Sequence, residues 1–404
     1  MRTRHTVPKP ALQQEAYFQN SRHDLACKRP MAFTQCMISK TEDLQALYDA
    51  SKQAGLAALD TEFVWERTYY PILGLLQLGM GRDDNHLIDT PQVRDASPMA
   101  SLMADASIVK ILHDAPQDLT IIHTFCGHLP SNVFDTRLAA GFAGMSSTLS
   151  LAALVEELCG VTLDKSATRT NWLRRPLSTV QLDYAIDDVK YLPEIRDILL
   201  SRLNDQQTAW LNEEHAALCA PSNFEEIDTS LVYKKVKGTR DVPKEHRGVL
   251  IALAEWRETE ARRSDRPRGH VLDDRHLTQI AQLAPVEMDK LQEAMKDMPH
   301  ALKSLQPDLL NSIAEGLAAS GIERGEPWPR VDRNRLREAG NVLRKLADER
   351  ALEVGIDSML LGSRKDLEAV FYSALGAPAN GNRLLRGWRR ELIGNELLAK
   401  AESL

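Results

Sequence analysis

The sequence has few cysteines and no closely spaced pair of them. The chain has 404 residues, of which five are cysteine, and no Cys-x-x-Cys pair occurs. They stand far apart, at Cys27, Cys36, Cys126, Cys159 and Cys219. An odd number at this spacing predicts neither a disulfide framework nor a structural zinc site. The pattern favours reduced thiols and a cytoplasmic location.

Long hydrophobic segments and an excess of positive charge are also missing. No apolar run approaches the roughly 20 residues of a membrane-spanning helix, so no membrane association is expected. The formal net charge of −7 argues against polyanion binding over the whole surface, so any nucleic-acid surface must be local. Hydrophobic residues make up 43%, enough for more than one core. At roughly 100–200 residues per domain, the length predicts two to four domains.

Residues 1–36 are predicted to be an N-terminal extension. The segment is basic and rich in Gln and Asn, and it lacks the hydrophobic stretch of a secretory signal. Two interpretations remain open. The extension is a disordered arm that attracts RNA, or it results from an upstream start codon, with structure beginning near Met31 or Met37.

Between residues 37 and 215, short apolar strands alternate with helical patterns. Strands are predicted at residues 56–59, 73–78, 86–88 and 109–112, and helices at residues 120–125, 149–158 and 180–200. This mixture predicts an α/β domain with one central sheet. Because the early strands follow one another closely, part of that sheet is expected to be antiparallel.

The second half of the chain is predicted to be helical. Residues 216–243 are interpreted as a linker, because Pro221, Ser222 and Asn223 break regular structure. Amphipathic helical patterns at residues 249–262 and 336–352 then begin two all-helical domains, at residues 244–322 and 328–404. A Gly/Pro-rich stretch separates them. Their patterns are alike, which makes a repeat plausible without showing one.

Two carboxylates stand where the first strand ends. Asp60 and Glu62 are two residues apart, so both side chains project to one side of the strand. Neighbouring carboxylates repel each other unless a cation lies between them, and oxygen ligands suit Mg²⁺ or Mn²⁺. The pair alone is equally compatible with two ordinary acids facing solvent.

A third carboxylate, Asp118, follows another predicted strand. The strand ends near His113, and a helix is expected to start near Pro116, because proline is favoured in the first helical turn. Asp114 is placed to cap that helix. Asp118 in the first turn can point back toward the end of the sheet. Taken alone, it is better explained by an interaction with the helix dipole.

The last polar pair is Tyr184 and Asp188 on a helical stretch. Residues four apart share a helix face, so both can face one site. Asp183 and Asp187 form a second pair on the neighbouring edge and are interpreted as solvated. Alone, a Tyr/Asp pair of this kind is usually surface decoration or core packing.

Taken together, these residues form an ordered set of Asp-x-Glu, Asp and Tyr-x-x-x-Asp. In this order the set resembles the DEDD exonuclease superfamily, in its tyrosine subgroup. The strings Leu73-Gly74-Leu75-Leu76-Gln77-Leu78, Asn171-Trp172 and Arg175-Pro176-Leu177 further resemble the bacterial ribonuclease D family. The likeness is close over residues 37–211 and looser over the helical part, where the family carries "helicase and RNase D C-terminal" (HRDC) domains. Asn171 departs from the Asp found in many relatives, at a position outside the motifs.

The resemblance implies a ribonuclease H-like, mixed-sheet 3′→5′ exonuclease domain followed by two HRDC-like domains. It implies two divalent ions, Mg²⁺ or Mn²⁺, held by Asp60, Glu62, Asp118 and Asp188, with Tyr184 orienting the attacking water. The implied substrate is RNA with a free 3′ end, such as transfer-RNA precursors and small stable RNAs. The implied products are nucleoside 5′-monophosphates, and the enzyme is expected to be monomeric.

Two other functions fit parts of the pattern. A DNA exonuclease would use the same chemistry, but the chain lacks a polymerase or helicase region. A catalytically inactive RNA-binding scaffold is disfavoured because all five motif positions are filled.

Several residues are candidates for holding RNA. Phe63 is a candidate wedge for the terminal base, and Tyr69 and Tyr70 are weaker ones. Candidates for phosphate contact are Lys165, Arg169, Arg262, Arg263, Arg266 and Arg268, with Arg383, Arg386, Arg389 and Arg390 in the second helical domain. Glu258, Glu260 and Glu391 lie among them, so a salt-bridged surface is the competing interpretation.

Overall fold

The computed structural model describes residues 37–164, 170–296, 305–319, 329, 331–378 and 381–404. These residues form two compact units. The first contains the described residues up to Phe63, Leu73–Phe224 and the described residues after position 325. The second contains Val64–Ile72 and the described residues from 225 to 325.

A five-stranded sheet, in the order β3-β2-β1-β4-β5, organises the described part of the first unit. Its strands are β1 (Leu56–Val64), β2 (Ile72–Gly81), β3 (Asp84–Ile88), β4 (Val109–Leu112) and β5 (Val133–Asp135). β1 runs parallel to β4, and β4 runs parallel to β5. β2 and β3 are antiparallel. This mixed sheet confirms the predicted α/β class and its partly antiparallel pairing.

The first half of β1 is buried on both faces of the sheet. Ala57 and Leu59 pack into the core on one face, while Ala58 packs into the core on the other. All three are fully buried. The apolar run therefore fixes the strand at the centre of the sheet, and the alternation of side chains places Asp60 and Glu62 on the same face as Ala58.

Helices cover the sheet in the first unit. They are α1 (Thr41–Ala54), α2 (Ser97–Ala104), α3 (Pro116–Cys126), α4 (Thr136–Phe142), α5 (Leu151–Cys159), α6 (Thr179–Lys190), α7 (Leu192–Arg202) and α8 (Asp205–Leu218). The single helix predicted at residues 180–200 is wrong, because it is divided at Tyr191. Pro193 lies in the first turn of α7. It has no N–H to continue the preceding helix.

The second unit is built around helices. They are α9 (Arg247–Arg263), α10 (Arg268–Val271), α11 (Asp274–Leu283), α12 (Met288–Ala294) and α13 (Gln306–Ala318). Much of the segment predicted as a linker is folded into this unit. It contains a 3₁₀ helix at Thr229–Lys235, and Val232, Val236 and Val242 are buried in the core of the unit.

The C-terminal segment belongs to the first unit. Its helices are α14 (Arg333–Val354), α15 (Arg364–Ala374), α16 (Gly387–Arg389) and α17 (Asn395–Glu402). They share one hydrophobic core with the sheet, in which the ring of Trp388 stacks on Trp210 with centroids 5.2 Å apart. The boundaries at residues 37–215, 244–322 and 328–404 stay predictions, but the last segment does not pack alone.

No helix within the described residues is both long enough and apolar enough to span a bilayer. Cys126, Cys159 and Cys219 are free thiols.

Candidate active site

Three carboxylates meet beside the second half of β1. Asp60 and Glu62 lie on that strand, and Asp188 lies on α6. Each offers an oxygen atom, and these three atoms all lie within 4.8 Å of one another. All three side chains are half-buried. Such an oxygen-rich group fits a hard divalent cation such as Mg²⁺ or Mn²⁺.

The electrostatics of the group are those of a site that needs a cation. Burial raises the pKa of Glu62 to about 8, and the charges of Asp188 and Asp118 act in the same direction. Burial also raises the pKa of Asp188 to about 7. The pKa of Asp60 lies well above its usual range because of burial and the three neighbouring carboxylates. Without a compensating positive charge, these groups favour protonation.

Asp118 lies in the first turn of α3, near this group but outside its closest set. Its carboxylate accepts a hydrogen bond from the hydroxyl of Thr61, which stands between Asp60 and Glu62 on β1. Burial raises the pKa of Asp118 to about 6. The sequence reasoning missed Thr61, because alternation assigns its side chain to the opposite face of the strand from Asp60 and Glu62.

The predicted capping role of Asp114 is wrong. The residue before α3 is Ala115, and no side chain caps the helix from that position. Asp114 has a positive φ of 64°, and its side chain forms an ion pair with Arg137 instead. The proline in the first turn was predicted correctly.

Tyr184 and Asp188 face the same site from α6, one turn apart. The phenol of Tyr184 and the carboxylate of Asp188 lie close enough that each shifts the pKa of the other. Burial raises the pKa of Tyr184, and the charges of Asp188 and Glu62 raise it further. The phenol therefore stays protonated at neutral pH. Of the neighbouring acids, Asp183 is exposed, and Asp187 is half-buried and 3.8 Å from Lys190.

A buried tryptophan supports the ring of Tyr184. The Trp172 ring lies with its centroid 6.1 Å from that of Tyr184 and is 2% exposed. Arg175 holds this segment against the sheet, since it pairs with Asp89 at 2.6 Å and donates to the carbonyl groups of Gly74 and Trp172. In the sequence, Trp172 and Arg175 contributed only to the family resemblance, and nothing indicated that they support the site.

The predicted RNA-contact residues have different surroundings. Phe63 is half-buried next to Glu62 on β1. Lys165 and Arg169 lie outside the described residues. Tyr69 belongs to the second unit, where its hydroxyl donates to the carboxylate of Glu258.

The four predicted arginines of the second unit all form ion pairs or hydrogen bonds with neighbouring residues. Arg262 and Arg268 both form ion pairs with the fully buried Glu258. Arg263 pairs with Glu260 while staying 72% exposed, and Arg266 donates to the carbonyl group of His270. Their role in RNA contact stays a prediction. In the C-terminal segment, Arg383 and Arg389 pair with Glu214. Arg390 donates to Asn395, and Arg386 lies at the N-terminus of α16.

A mixed sheet carrying carboxylates on the second half of its central strand is compatible with a 3′-5′ exonuclease domain, and comparison with known proteins identifies one. A family model described as 3′-5′ exonuclease matches residues 35–204, and one described as HRDC domain matches residues 246–311.

Similar proteins identify the family of this chain. Ribonuclease D of Desulfotalea psychrophila is 40% identical over 360 residues, which cover 88% of this chain and 96% of that protein. Ribonuclease D of Pseudomonas paraeruginosa is 38% identical over 350 residues, covering 86% and 92%. The crystal structure of Escherichia coli RNase D, an exoribonuclease involved in structured RNA processing, superposes with a TM-score of 0.81 at 30% identity, covering 92% of this chain and 99% of that one. The chain belongs to the ribonuclease D family, and it is a metal-dependent 3′→5′ exoribonuclease.

Proposed function

We propose that this enzyme trims the 3′ ends of transfer-RNA precursors and other small structured RNAs, releasing nucleoside 5′-monophosphates. One observation carries the chemistry: three carboxylate oxygen atoms, from Asp60, Glu62 and Asp188, lie within 4.8 Å of one another. The substrate class is supported by the similar Escherichia coli enzyme, which is involved in structured RNA processing.

Two divalent ions, Mg²⁺ or Mn²⁺, fit the residues present. Asp60, Glu62 and Asp188 would hold one ion, and Asp118 together with Asp60 would hold the other. The raised pKa values of this group support the assignment, because neighbouring carboxylates of this kind are stabilised by a cation. When bound, such ions lower the pKa of a water and neutralise charge on the phosphate.

Tyr184 is assigned to orienting the attacking water. Its hydroxyl keeps its proton, since its pKa is raised by burial and by neighbouring carboxylates. It is therefore no base at neutral pH. Its packing against Trp172 fixes the position of the ring. Positioning of this kind accelerates the reaction by holding the reactants in line.

RNA is proposed to be held by the predicted aromatic and basic residues. Phe63 follows Glu62 directly and is proposed to stack on the terminal base. Tyr69, Lys165, Arg169, Arg262 and Arg268 remain candidates. In the second unit Arg263 and Arg266 have the weaker internal contacts, since neither touches the buried Glu258.

The basic residues can be tested by salt dependence. Replacing Arg263 and Arg266 with serine is expected to weaken the binding of structured RNA. The slope of log affinity against log salt concentration should become shallower by about one unit for each phosphate contact that is lost. The matched control is Lys345→Ser, at a lysine that is 80% exposed in the first unit. Unchanged binding and slope in the double variant would reject these contacts.

The enzyme is proposed to act as a monomer in the cytoplasm. Asp60, Glu62, Asp118, Tyr184 and Asp188 all come from one chain and from one compact unit, so the proposed chemistry needs no second copy. Light scattering of the purified protein during cleavage would test this, and activity confined to a dimer fraction would contradict it.

The decisive experiment uses a 3′-extended transfer RNA with Mg²⁺ or Mn²⁺. We expect stepwise shortening from the 3′ end, release of nucleoside 5′-monophosphates and loss of both with a chelator. Asp188→Asn and Asp60→Asn should abolish cleavage, whereas Asp183→Asn, at an exposed carboxylate on the same helix, should not. Equal cleavage of a matched DNA oligomer would overturn the substrate class, and full activity of Asp188→Asn would overturn the site.

A further inference from the structure

Asp135, the last residue of β5, is placed beside the start of the helix that carries Asp118. β4 and β5 are parallel, and Leu112 of β4 is the register partner of Asp135. Four residues after Leu112 the chain enters α3. The side chain of Asp135 is buried, with 3% of the residue exposed. A buried carboxylate requires compensating hydrogen bonds or charges, so its partners are informative.

The partners of this carboxylate are backbone N–H groups from two helix starts. One oxygen accepts from Asp114 at 3.1 Å, and the other accepts from Ala115 at 2.9 Å, immediately before α3. The first oxygen also accepts from Arg137 at 2.8 Å and Leu138 at 3.4 Å, in the first turn of α4. Free N–H groups and helix dipoles both favour a negative charge at such a point.

The backbone held by these bonds is unfavourable by itself. Asp114 has a φ of 64°, a left-handed conformation that residues other than glycine rarely adopt. Such a conformation persists only where its surroundings determine it. The bonds from Asp114 and Ala115 to Asp135 provide this, and they replace the missing side-chain cap of α3.

Asp135 is itself held by a second element of the same unit. Its backbone N–H donates to Nε2 of His215 on α8 at 3.0 Å. His215 is 7% exposed, and burial lowers its pKa to about 4, so the ring is neutral and can accept this bond. β5 is therefore anchored on the side of α8, and the Asp135 carboxylate stays in place at the start of α3.

We propose that Asp135 is a positioning residue for the exonuclease reaction, which fixes the N-terminus of α3 and thereby the placement of Asp118 at the metal site. The inference rests on the proposed function of Asp118. Asp118 lies in the first turn of α3, so a shift of that turn moves its carboxylate away from Asp60 and from the hydroxyl of Thr61. Outer residues that orient metal ligands typically contribute about 10–100-fold to metal affinity or activity.

Two variants separate this role from ordinary helix capping. Asp135→Asn keeps the shape of the side chain and removes its charge. Asp135→Ser keeps an oxygen that can cap α4, because serine is a good N-cap residue, but it cannot reach the N–H groups of Asp114 and Ala115. Asp332→Asn is the matched control, since Asp332 caps α14 in the same unit by accepting from Asn334 and Arg335.

The experiment measures Mn²⁺ binding by calorimetry, together with kcat and KM on a 3′-extended RNA, below the unfolding temperature of each variant. We expect both Asp135 variants to lose roughly 10-fold in Mn²⁺ affinity and in kcat, with KM for RNA little changed. Asp332→Asn should match the unmodified enzyme. In an Asp118→Asn background, Asp135→Asn should cause no further loss, because two residues acting through one contact are not additive.

The outcomes distinguish this inference from the proposed function. If Asp118→Asn alone leaves Mn²⁺ binding and cleavage unchanged, the proposed role of Asp118 fails. If Asp118→Asn is damaging while both Asp135 variants behave like Asp332→Asn, only the positioning role fails. A full additional loss in the double variant would also overturn it. Loss of the folded state in both Asp135 variants would make Asp135 a residue of the general fold and overturn it too.

Discussion

The carboxylates of the candidate active site make the response to metal depend on pH. The pKa is raised to about 8 for Glu62, about 7 for Asp188 and about 6 for Asp118. A raised pKa in the folded state stabilises the protein at low pH, and that contribution is lost as the pH rises through the folded-state value. The metal-free protein is therefore expected to lose stability between about pH 5 and about pH 8.

Metal binding should offset this loss, because the ligands must be deprotonated to bind a cation. We expect the increase in melting temperature caused by saturating Mn²⁺ to be larger near pH 8 than near pH 6. Thermal unfolding of the first unit, followed at both pH values, measures it. Glu62→Gln should reduce the difference between the two. A shift that is independent of pH would contradict an electrostatic origin of the metal effect.

The phenol of Tyr184 is expected to affect the rate of the reaction and not the binding of RNA. Tyr184→Phe removes the hydroxyl beside Asp188 and keeps the ring that packs on Trp172. We expect kcat to fall by roughly 10–100-fold, with the Kd for RNA almost unchanged. Single-turnover cleavage and filter binding measure the two. The control is Tyr372→Phe, at a tyrosine of α15 outside the site. Parallel losses of rate and affinity would reject an orienting role.

At the scale of secondary-structure elements, the stability of the packing around α9 depends on one buried carboxylate. Glu258 is fully buried and bonds Tyr69, Arg262 and Arg268. Removing one partner of a buried ion pair typically costs about 3–5 kcal/mol. The Arg268 side chain is 39% exposed, which reduces the cost through solvent screening. We expect Glu258→Gln to destabilise the second unit by about 2–3 kcal/mol.

The matched control for this prediction lies two residues along the same helix. Glu260→Gln removes the pair with Arg263, whose side chain is 72% exposed. It should change stability by less than about 1 kcal/mol. Urea unfolding monitored by the tryptophan of α9, Trp256, measures both variants. Equal effects would contradict the special role of the buried acid.

Strands and helices with strong apolar patterns were predictable from the sequence, while their ends were not. β4 was predicted with its observed limits, because Val109, Ile111 and Leu112 are apolar although Lys110 lies among them. β1 continues five residues beyond its predicted end, because Asp60 and Glu62 occupy strand positions although they are charged. With two charged residues at alternate positions after Leu59, the apolar pattern of β1 stops before the strand does.

The candidate site was predictable as a set of residues but not as a set of contacts. The order of Asp60, Glu62, Asp118, Tyr184 and Asp188 identified the family, and three of their carboxylates do meet in space. The bond from Thr61 to Asp118 and the cap supplied by Asp135 depend on which strands are neighbours. Sequence spacing alone does not give that arrangement, and the cap was assigned to Asp114 for this reason.

At the scale of the whole molecule, the boundary between cooperative parts differs from the boundary between sequence domains. The ring of Trp388 contacts those of Phe142 and Trp210, with centroid distances of 5.3 and 5.2 Å. Its indole N–H donates to Glu214 on α8, which also pairs with Arg389. The C-terminal helices α14–α17 and the sheet therefore share one core, and they are expected to unfold together.

A core substitution at Trp388 tests this division. Trp388 is 2% exposed, so Trp388→Ala should cost about 3–5 kcal/mol. In hydrogen exchange, we expect protection to fall in β4 and β5 as well as in α14, and to be retained in α9 of the second unit. Leu352→Ala, at a side chain that is 83% exposed, is the control and should change neither. Loss of protection confined to α14–α17 would mean that this segment folds separately from the sheet, and equal loss in α9 would mean that the chain unfolds as a single unit.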